Sequence, residues 1–222
     1  MHRTSIATAL LLGLTIGFPT LHLGSVTPAG VAAAQTPISN VDLSGLEWRN
    51  IGPAINSGRI SDIAIHPEDP HLMYIGVGSG GVWKTTNAGT TWDPIFDRQA
   101  PHSLGSVAID PSAPDIIWVG TGENHGGRHN GFGDGIYKST DGGRTWTNMG
   151  LRASEHLSTI IVHPDDSDVV WVAAQGPLWS SGGERGLYKT TDGGENWEKV
   201  LAEGPWTGVT DIVMDPRDLD RL

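Results

Sequence analysis

The chain has 222 residues, a formal net charge of −11 and no cysteine. The absence of cysteine excludes disulfide bonds and thiolate metal sites, and the absence of a basic patch argues against a nucleic-acid partner. Glycine (31 residues) and tryptophan (9 residues) are abundant, and regularly spaced glycine and aromatic residues are typical of short strands repeated with tight turns.

Residues 1–34 have the features of a secretory signal peptide. Arg3 gives a positive start, residues 6–18 form an apolar core, and three alanines at 32–34 fit a small-residue cleavage site. A membrane anchor is the alternative, but the core is short for a span and Pro19 interrupts it. We therefore expect export to the periplasm or the extracellular space, with no membrane span after the signal is removed.

Two markers recur after a polar leader at 35–45, and they keep the same spacing. One is a tryptophan that begins a short strand-like run, at Trp48, Trp92, Trp146 and Trp197. The other is a proline that ends an apolar run, at Pro67, Pro111, Pro164 and Pro216. Each proline follows its tryptophan by 18 or 19 residues. Two markers that keep one phase through four copies indicate an internal repeat.

Each repeat contains four strand-like segments. An apolar run ending in proline is followed by a segment with a central aromatic residue, then by a third segment that leads into a turn, and then by the segment that the tryptophan begins. A buried helix is the alternative for the apolar run, but β-branched residues ended by proline argue against it. Four strands in about 45 to 55 residues predict a β-propeller blade.

The fold prediction is therefore an all-β, partial β-propeller of four-stranded antiparallel blades over residues 46–222. Three blades are complete in this prediction. An opening fourth strand at 46–52 and a closing first strand at 209–214 belong to blades that are incomplete. Because a closed propeller needs about four to eight blades, we expect a piece of a larger ring. The remaining blades of the same chain would then be its structural partner.

The turn between the third and fourth strands has a shared pattern in three copies: hydroxyl, any, Asp or Asn, any, Gly, any, Thr or Asn, Trp. An Asp or Asn side chain can accept hydrogen bonds from backbone N–H groups two residues on, which fixes a tight turn. The glycine can take a positive φ, and the tryptophan supplies apolar surface. The predicted structural residues are Asn87, Gly89, Trp92, Asp141, Gly143, Trp146, Asp192, Gly194 and Trp197.

This pattern resembles the Asp-box, or bacterial neuraminidase repeat, of sialidases, sortilin-type receptors, xyloglucanases and a photosystem assembly factor. All of these are β-propellers, so the resemblance implies the fold strongly and the function weakly. It also implies that the boxes lie on the face away from the ligand. Over residues 46–222 the chain resembles bacterial exported proteins with a sortilin-type N-terminal propeller, which are often labelled glycosyl hydrolases.

The longer loops fall at the end opposite the boxes, at 120–134 and 175–185. Long loops on a rigid scaffold commonly carry binding sites. The ligand-binding candidates are Arg59, Glu123, Arg128, His156 and Trp179.

Each candidate has an alternative interpretation. Arg59 and His156 could present charge to an anionic ligand or be solvated channel residues. Trp179, like Trp206, could stack on a sugar ring or an aromatic peptide side chain, or cover a blade edge. Glu123 with two histidines of its loop (His125, His129) could be a metal site, but the spacing is loose and a polar loop is favoured. We predict no metal and no cofactor.

The function favoured by the sequence is an exported, non-catalytic propeller module that binds a peptide or a glycan. The alternatives are a glycoside hydrolase, xyloglucanase-like or sialidase-like, whose site is completed by further blades, and a structural assembly module. Hydrolysis by acid and base needs two carboxylates across the bond, and Glu123 and Glu184 are the candidates here.

Two departures weigh against the enzyme classes that the resemblance brings to mind. Sialidases have an Arg-Ile-Pro motif, and this chain has Ser61 after Arg59 and Ile60. Xyloglucanases have a catalytic Asp just before a Gly-Gly pair, and here Gly78 and Ser79 stand in that region without a carboxylate. The catalytic residues are therefore left unassigned.

Overall fold

The structure, a computed structural model, describes residues 58–124, 130–219 and 221–222. Within those residues, twelve strands form three four-stranded antiparallel sheets. Sheet 1 contains β1 (Ile60–Ile65), β2 (Met73–Val77), β3 (Gly81–Thr85) and β4 (Asp93–Pro94). Sheet 2 contains β5 (Leu104–Ile109), β6 (Ile117–Thr121), β7 (Ile136–Ser139) and β8 (Thr147–Asn148). Sheet 3 contains β9 (Leu157–His163), β10 (Asp166–Ala174), β11 (Gly186–Thr190) and β12 (Glu198–Leu201).

The strands of each sheet are hydrogen-bonded in sequence order, and the first strands of the three sheets lie next to one another. This is the arrangement of propeller blades around an axis, with β1, β5 and β9 innermost. The prediction of three complete four-stranded blades is confirmed, and the apolar runs ending in proline are the inner strands. No helix in the described part of the chain is long and apolar enough to cross a membrane.

The core lies between the sheets. One cluster fills the space between sheets 1 and 2, where the Phe96 ring meets the rings of Tyr137 and Trp146 edge-on, with 5.2 Å between centroids in both pairs. A second fills the space between sheets 2 and 3, where Trp118 meets Trp197 edge-on at 6.2 Å. Phe96 and Trp118 are fully buried, and burying such a side chain contributes about 1.5–3 kcal/mol of transfer free energy, so these contacts hold neighbouring blades together.

Each turn between the third and fourth strands is closed by side chains. Asp141 Oδ1 accepts hydrogen bonds from the amides of Arg144 (3.0 Å) and Thr145 (2.9 Å). The Ser139 hydroxyl accepts from the amides of Asp141 (3.3 Å) and Gly143 (2.9 Å). The prediction that the acid bonds an amide two residues on is therefore wrong. The hydroxyl makes that bond, and the positive φ of 89° at Gly143 turns the chain so that the later amides reach the carboxylate.

The turns also join neighbouring sheets. The Trp146 indole donates to the Ile95 carbonyl (2.9 Å), and the Trp197 indole donates to the Met149 carbonyl (2.8 Å). In each case the acceptor belongs to the preceding sheet. In sheet 1 the Trp92 indole instead donates within its own turn, to the Gly89 carbonyl (3.1 Å). The repeat motif is thus a link between blades as well as a turn.

We expect Ala88→Gly to stabilise the protein and Gly142→Ala to destabilise it. Both positions are left-handed, with φ of 55° and 68°, and this conformation costs a residue with a Cβ atom about 1–2 kcal/mol. A Cβ on Gly142 would meet nothing closer than 3.4 Å, so the backbone penalty dominates. Part of the gain at position 88 is lost to the greater freedom of glycine in the unfolded chain.

Urea unfolding of the two variants measures this pair. The free energy of unfolding should rise by up to about 1 kcal/mol in the first and fall by about 1 kcal/mol in the second. Changes of the same sign in both would contradict the backbone argument.

We also expect Asp192 to make stability depend on pH between about 4 and 2. Hydrogen bonds from the Thr190 hydroxyl and the Asn196 amide lower the pKa of Asp192 to about 2. Because the pKa is lower in the folded protein, this group stabilises the fold above its unfolded pKa of about 4. That contribution is lost as the pH falls toward 2. In urea unfolding at pH steps through this window, Asp192→Asn should lose stability less steeply than the wild type. Parallel curves would refute the prediction.

The segment 209–214 differs from its predicted strand. It runs beside sheet 3, with the Val209 amide donating to the Ala174 carbonyl (3.1 Å), but it forms no ladder within the described residues. A strand requires a run of such bonds along at least one edge, and the described residues supply this segment with only that one backbone bond. The predicted signal peptide, polar leader, opening strand at 46–52 and Trp48 lie outside the described residues.

Candidate functional site

The loops between second and third strands lie at one end of the blades, opposite the repeat turns, because neighbouring strands are antiparallel. Backbone hydrogen bonds join these loops to the segments that enter the inner strands. Gly122 N donates to the Ser103 carbonyl (2.7 Å), and Gln175 N donates to the His156 carbonyl (3.0 Å). We call this end the loop end.

A buried glutamate links sheets 1 and 2 at the loop end. Glu123 follows β6 and is 1% exposed, and its Oε1 accepts two bonds from the Arg59 guanidinium, one of them 2.6 Å long from Nε. A Cβ atom on Gly78 would lie 2.8 Å from the same oxygen. The Glu123 carboxylate therefore occupies space that a side chain at position 78 would need. Its Oε2 is buried and has no partner within the described structure.

His156 is fully buried beside this pair. Its Nδ1 lies 2.8 Å from the Glu123 backbone carbonyl, which can only accept, so we assign the proton to Nδ1. Burial lowers the pKa of His156, and the ring is neutral near pH 7. A neutral, buried ring is neither a charge presented to an anion nor a solvated channel residue, so neither sequence interpretation describes it. The Arg59 charge is likewise already paired with Glu123.

A second arginine fixes the long loop at 175–185. Arg185 is buried, and its guanidinium donates to four backbone carbonyls of that loop: Gly182 (2.8 Å), Gln175 (2.8 Å), Ser180 (2.5 Å) and Pro177. The loop is therefore shaped from within, and its outward side chains sit on a pre-organised support.

Three aromatic side chains are exposed at the loop end. Trp179 is 78% exposed, Trp206 67% and Phe132 60%. The loops that carry the two tryptophans meet through the bond from Gly182 N to the Pro205 carbonyl (2.7 Å), and the Phe132 ring lies 5.8 Å from the His156 ring. Phe132 was not among the sequence candidates because a single aromatic residue in a glycine-rich loop gives no repeat signal.

A polar cleft of about 340 Å³ opens between the beginnings of the inner strands. We call it the axial cleft; it is lined by Ser61, Asp62, Gly105, Asn124, Ser158, Thr159, Thr210 and Asp211. Asp62 Oδ2 accepts from the Ser106 hydroxyl (2.9 Å), and Asp211 Oδ1 accepts from the Thr159 hydroxyl (2.9 Å). These four residues each stand five positions before a repeat proline. A polar residue recurring inside an apolar run was the signal that the sequence analysis missed.

The structure brings Arg59, Glu123 and His156 together and puts Trp179 on a neighbouring loop. Arg128 lies outside the described residues, as do the two histidines of the considered metal site, His125 and His129. In the described ranges, no group of three or more His, Asp or Glu side chains could hold a metal ion. The absence of a metal or cofactor stays a prediction.

Comparison with known proteins finds that the chain is similar in sequence to proteins named xyloglucanases. No protein-family model matches the chain. It is 27% identical over 180 residues to a xyloglucanase of Paenibacillus sp., covering 74% of this chain and 17% of that protein. It is 28% identical over 214 residues to a xyloglucanase of Hypocrea jecorina (strain QM6a), covering 89% and 22%. The chain therefore spans about a fifth of the length of these relatives.

Solved structures agree on the fold. The chain superimposes on the crystal structure of an ancestral GH74 enzyme with a TM-score of 0.51 and 19% identity, covering 67% of this chain and 20% of that one. At that identity the likeness supports the propeller fold alone. The two curated relatives are thus named xyloglucanases, and this chain, whose described residues form three blades, matches one part of each.

Proposed function

We propose that this chain is an exported β-propeller module of the Asp-box type that binds a glycan at its loop end, without cleaving it. The observation that carries the proposal is the pair of highly exposed tryptophans, Trp179 and Trp206, on two loops that are bonded to each other. Large exposed aromatic side chains of a soluble protein commonly mark a binding surface. The support for the Asp-box assignment is the shared side-chain bonding of the three turns.

The chemistry of the two tryptophans suits a sugar. An indole offers a flat apolar surface against which the C–H face of a sugar ring can pack, while polar groups nearby bond the hydroxyls. Because Arg185 already fixes the loop under Trp179, little conformational entropy is lost on binding. Both relatives described above are named xyloglucanases, so xyloglucan oligosaccharides are the first ligands to test.

We expect Trp179→Ala and Trp206→Ala each to weaken binding of xyloglucan oligosaccharides by about two- to tenfold, since an aromatic stacking contact contributes about 0.5–1.5 kcal/mol. Isothermal titration calorimetry measures the dissociation constants. Trp179→Phe keeps a ring and should lose less. Val200→Ala, an exposed apolar position on β12, is the matched control and should bind as the wild type does.

Unchanged affinity in both tryptophan variants would refute this site. Failure of the wild type to bind any of a panel of glycans would refute the function.

A second candidate, a glycoside hydrolase, is favoured by the names of the relatives. Its two sequence candidates are engaged in protein contacts: Glu123 with Arg59, and Glu184 with the Ala153 amide (2.8 Å). A free pair of carboxylates would have to come from elsewhere. Release of new reducing ends from xyloglucan measures cleavage. Turnover by the wild-type chain would reject the non-catalytic proposal, and binding without turnover would reject the hydrolase.

A further inference from the structure

Phe132 is a third exposed aromatic residue at the loop end, and the glycan site proposed above does not use it. It is 60% exposed, and its ring lies 5.8 Å from the ring of the fully buried His156. Within the described residues, no ring contact joins Phe132 to Trp179 or Trp206. A sugar ring that stacks on a tryptophan therefore leaves Phe132 free.

The exposure of Phe132 is imposed by the backbone on either side of it. A Cβ atom on Gly131 would lie 2.7 Å from the Ser103 side chain, and one on Gly133 would lie 2.3 Å from the Thr121 carbonyl carbon. Both glycines are thus packed closely against the blades, and the ring between them is held at the surface. A ring on a fixed backbone offers contact area to a ligand at little cost in conformational entropy.

A linking segment, residues 151–156, connects the two long loops of the loop end. Gly133 N donates to the Glu155 carbonyl (2.8 Å), and Glu184 N donates to the Ala153 carbonyl (3.2 Å). Hydrogen-bonded backbones lie about 5 Å apart and two residues of chain span at most about 7 Å, which places Gly133 within about 17 Å of Glu184. A chain of a few sugar units spans such a distance, and a single sugar does not.

The linking segment is held in a strained conformation. Leu151 and Glu155 have φ of 55° and 64°, a region that residues with a Cβ atom rarely adopt. Close packing keeps the segment there, since a Cβ atom on Gly122 would lie 1.8 Å from the Glu155 carbonyl oxygen. Backbone strain of this kind clusters at sites that hold a ligand, where it fixes the geometry in advance.

Arg152 places hydrogen-bond donors on the linking segment, between the two loops. Its side chain is 64% exposed, and its Nη1 donates to Asp134 Oδ2 (3.1 Å). A guanidinium carries five N–H donors, so donors remain for the hydroxyl groups of a ligand. Aromatic rings at both ends with a polar group between them match the alternation of C–H faces and hydroxyls along a sugar chain.

The neighbours of Phe132 favour a sugar over an apolar protein partner. In the sequence the ring stands between two glycines, which are flanked by Asn130 and Asp134. A protein partner commonly needs a contiguous apolar patch, whereas one ring among polar groups suits a ligand with small apolar faces and many hydroxyls.

We infer that Phe132 is a separate stacking position for the far end of a glycan chain, so that the loop end binds an oligosaccharide several sugar units long. The chain runs from Trp179 and Trp206 across the linking segment to Phe132. This inference rests on the proposed function, because it takes binding of a glycan at the tryptophans as its starting point.

Calorimetric titration with xyloglucan oligosaccharides of two backbone lengths tests the inference. A backbone of two sugar units should bind at the tryptophans alone, and one of eight units should bind several times more tightly. Phe132→Ala should weaken binding of the long chain by about two- to tenfold, the factor expected for one aromatic contact. It should leave binding of the short chain unchanged. Phe132→Tyr keeps the ring and should bind both chains as the wild type does.

Two further variants serve as controls. Ile65→Ala removes an apolar side chain of similar exposure (55%) at the end of β1 away from the loop end, and it should bind both chains as the wild type does. Trp179→Ala should weaken binding of the short chain as well as the long one. Thermal melting of each variant shows whether a loss of affinity reflects a loss of folding.

The outcomes separate this inference from the function on which it rests. Wild-type affinity of Phe132→Ala for the long chain, with weakened binding by Trp179→Ala, would overturn the role of Phe132 and leave the proposed function standing. An equal loss for both chain lengths in Phe132→Ala would also overturn a separate position. Failure of the wild type to bind either chain, or any other glycan, would overturn the proposed function and this inference with it.

Discussion

Gly105→Ala should prevent the chain from folding into a stable propeller. Gly105 lies in the inner strand β5, and a Cβ atom there would stand 1.9 Å from the Leu157 carbonyl oxygen and 2.7 Å from that of Gly122. Both obstacles are backbone atoms, so no side-chain rotation relieves the clash. The sheets would have to separate at the axis, where β5 packs beside β9. We expect a loss of more than about 4 kcal/mol, a large share of the stability of a typical domain.

Soluble yield and thermal melting by circular dichroism measure this effect. Gly76→Ala is the matched control. A Cβ atom there would have the Ser61 hydroxyl as its nearest neighbour, at 3.3 Å, and would clash with no backbone atom. That variant should lose less than about 1 kcal/mol. A Gly105→Ala protein that melts within a few degrees of the wild type would show that the inner strands do not approach as closely as described.

The repeat allowed the blades to be predicted because its signals are local. An apolar run ended by Pro67 or Pro111 predicts a strand without reference to any distant residue. The same spacing of tryptophan and proline in successive copies supports that prediction. The turn chemistry was predicted in kind but not in detail. The sequence pattern predicted a turn at these residues, while the bond from Asp141 to amides three and four residues on depends on the positive φ of Gly143, which the pattern alone does not specify.

The site was harder to predict because it depends on contacts between sheets. Arg59 and Glu123 are 64 residues apart, and nothing in the spacing of either loop indicates that they pair. His156 was a candidate because the entries to the inner strands point toward the axis, where it could present charge or be solvated, but packing of the loop end buries it. Asp62 and Asp211 could have been found by aligning the copies on their prolines, since polar side chains at one position of an inner strand must face the axis together.

Arg59→Ala should destabilise the protein by about 2–4 kcal/mol at neutral pH. It leaves the Glu123 carboxylate buried without its cation, and breaking a buried ion pair in this way costs about 3–5 kcal/mol. We expect a smaller loss than that range because the Arg59 side chain is 56% exposed while that of Glu123 is 2% exposed, and water screens part of the interaction between the two charges.

Glu123→Gln in the Arg59→Ala background separates charge from packing. The glutamine amide has the size of the carboxylate but carries no charge that would be left buried without a partner. The double variant should therefore recover stability relative to Arg59→Ala alone. Urea unfolding of the wild type, both single variants and the double variant gives the coupling energy. A coupling near zero would mean that Arg59 and Glu123 do not hold sheets 1 and 2 together, and that the fixed geometry of the loop end has another origin.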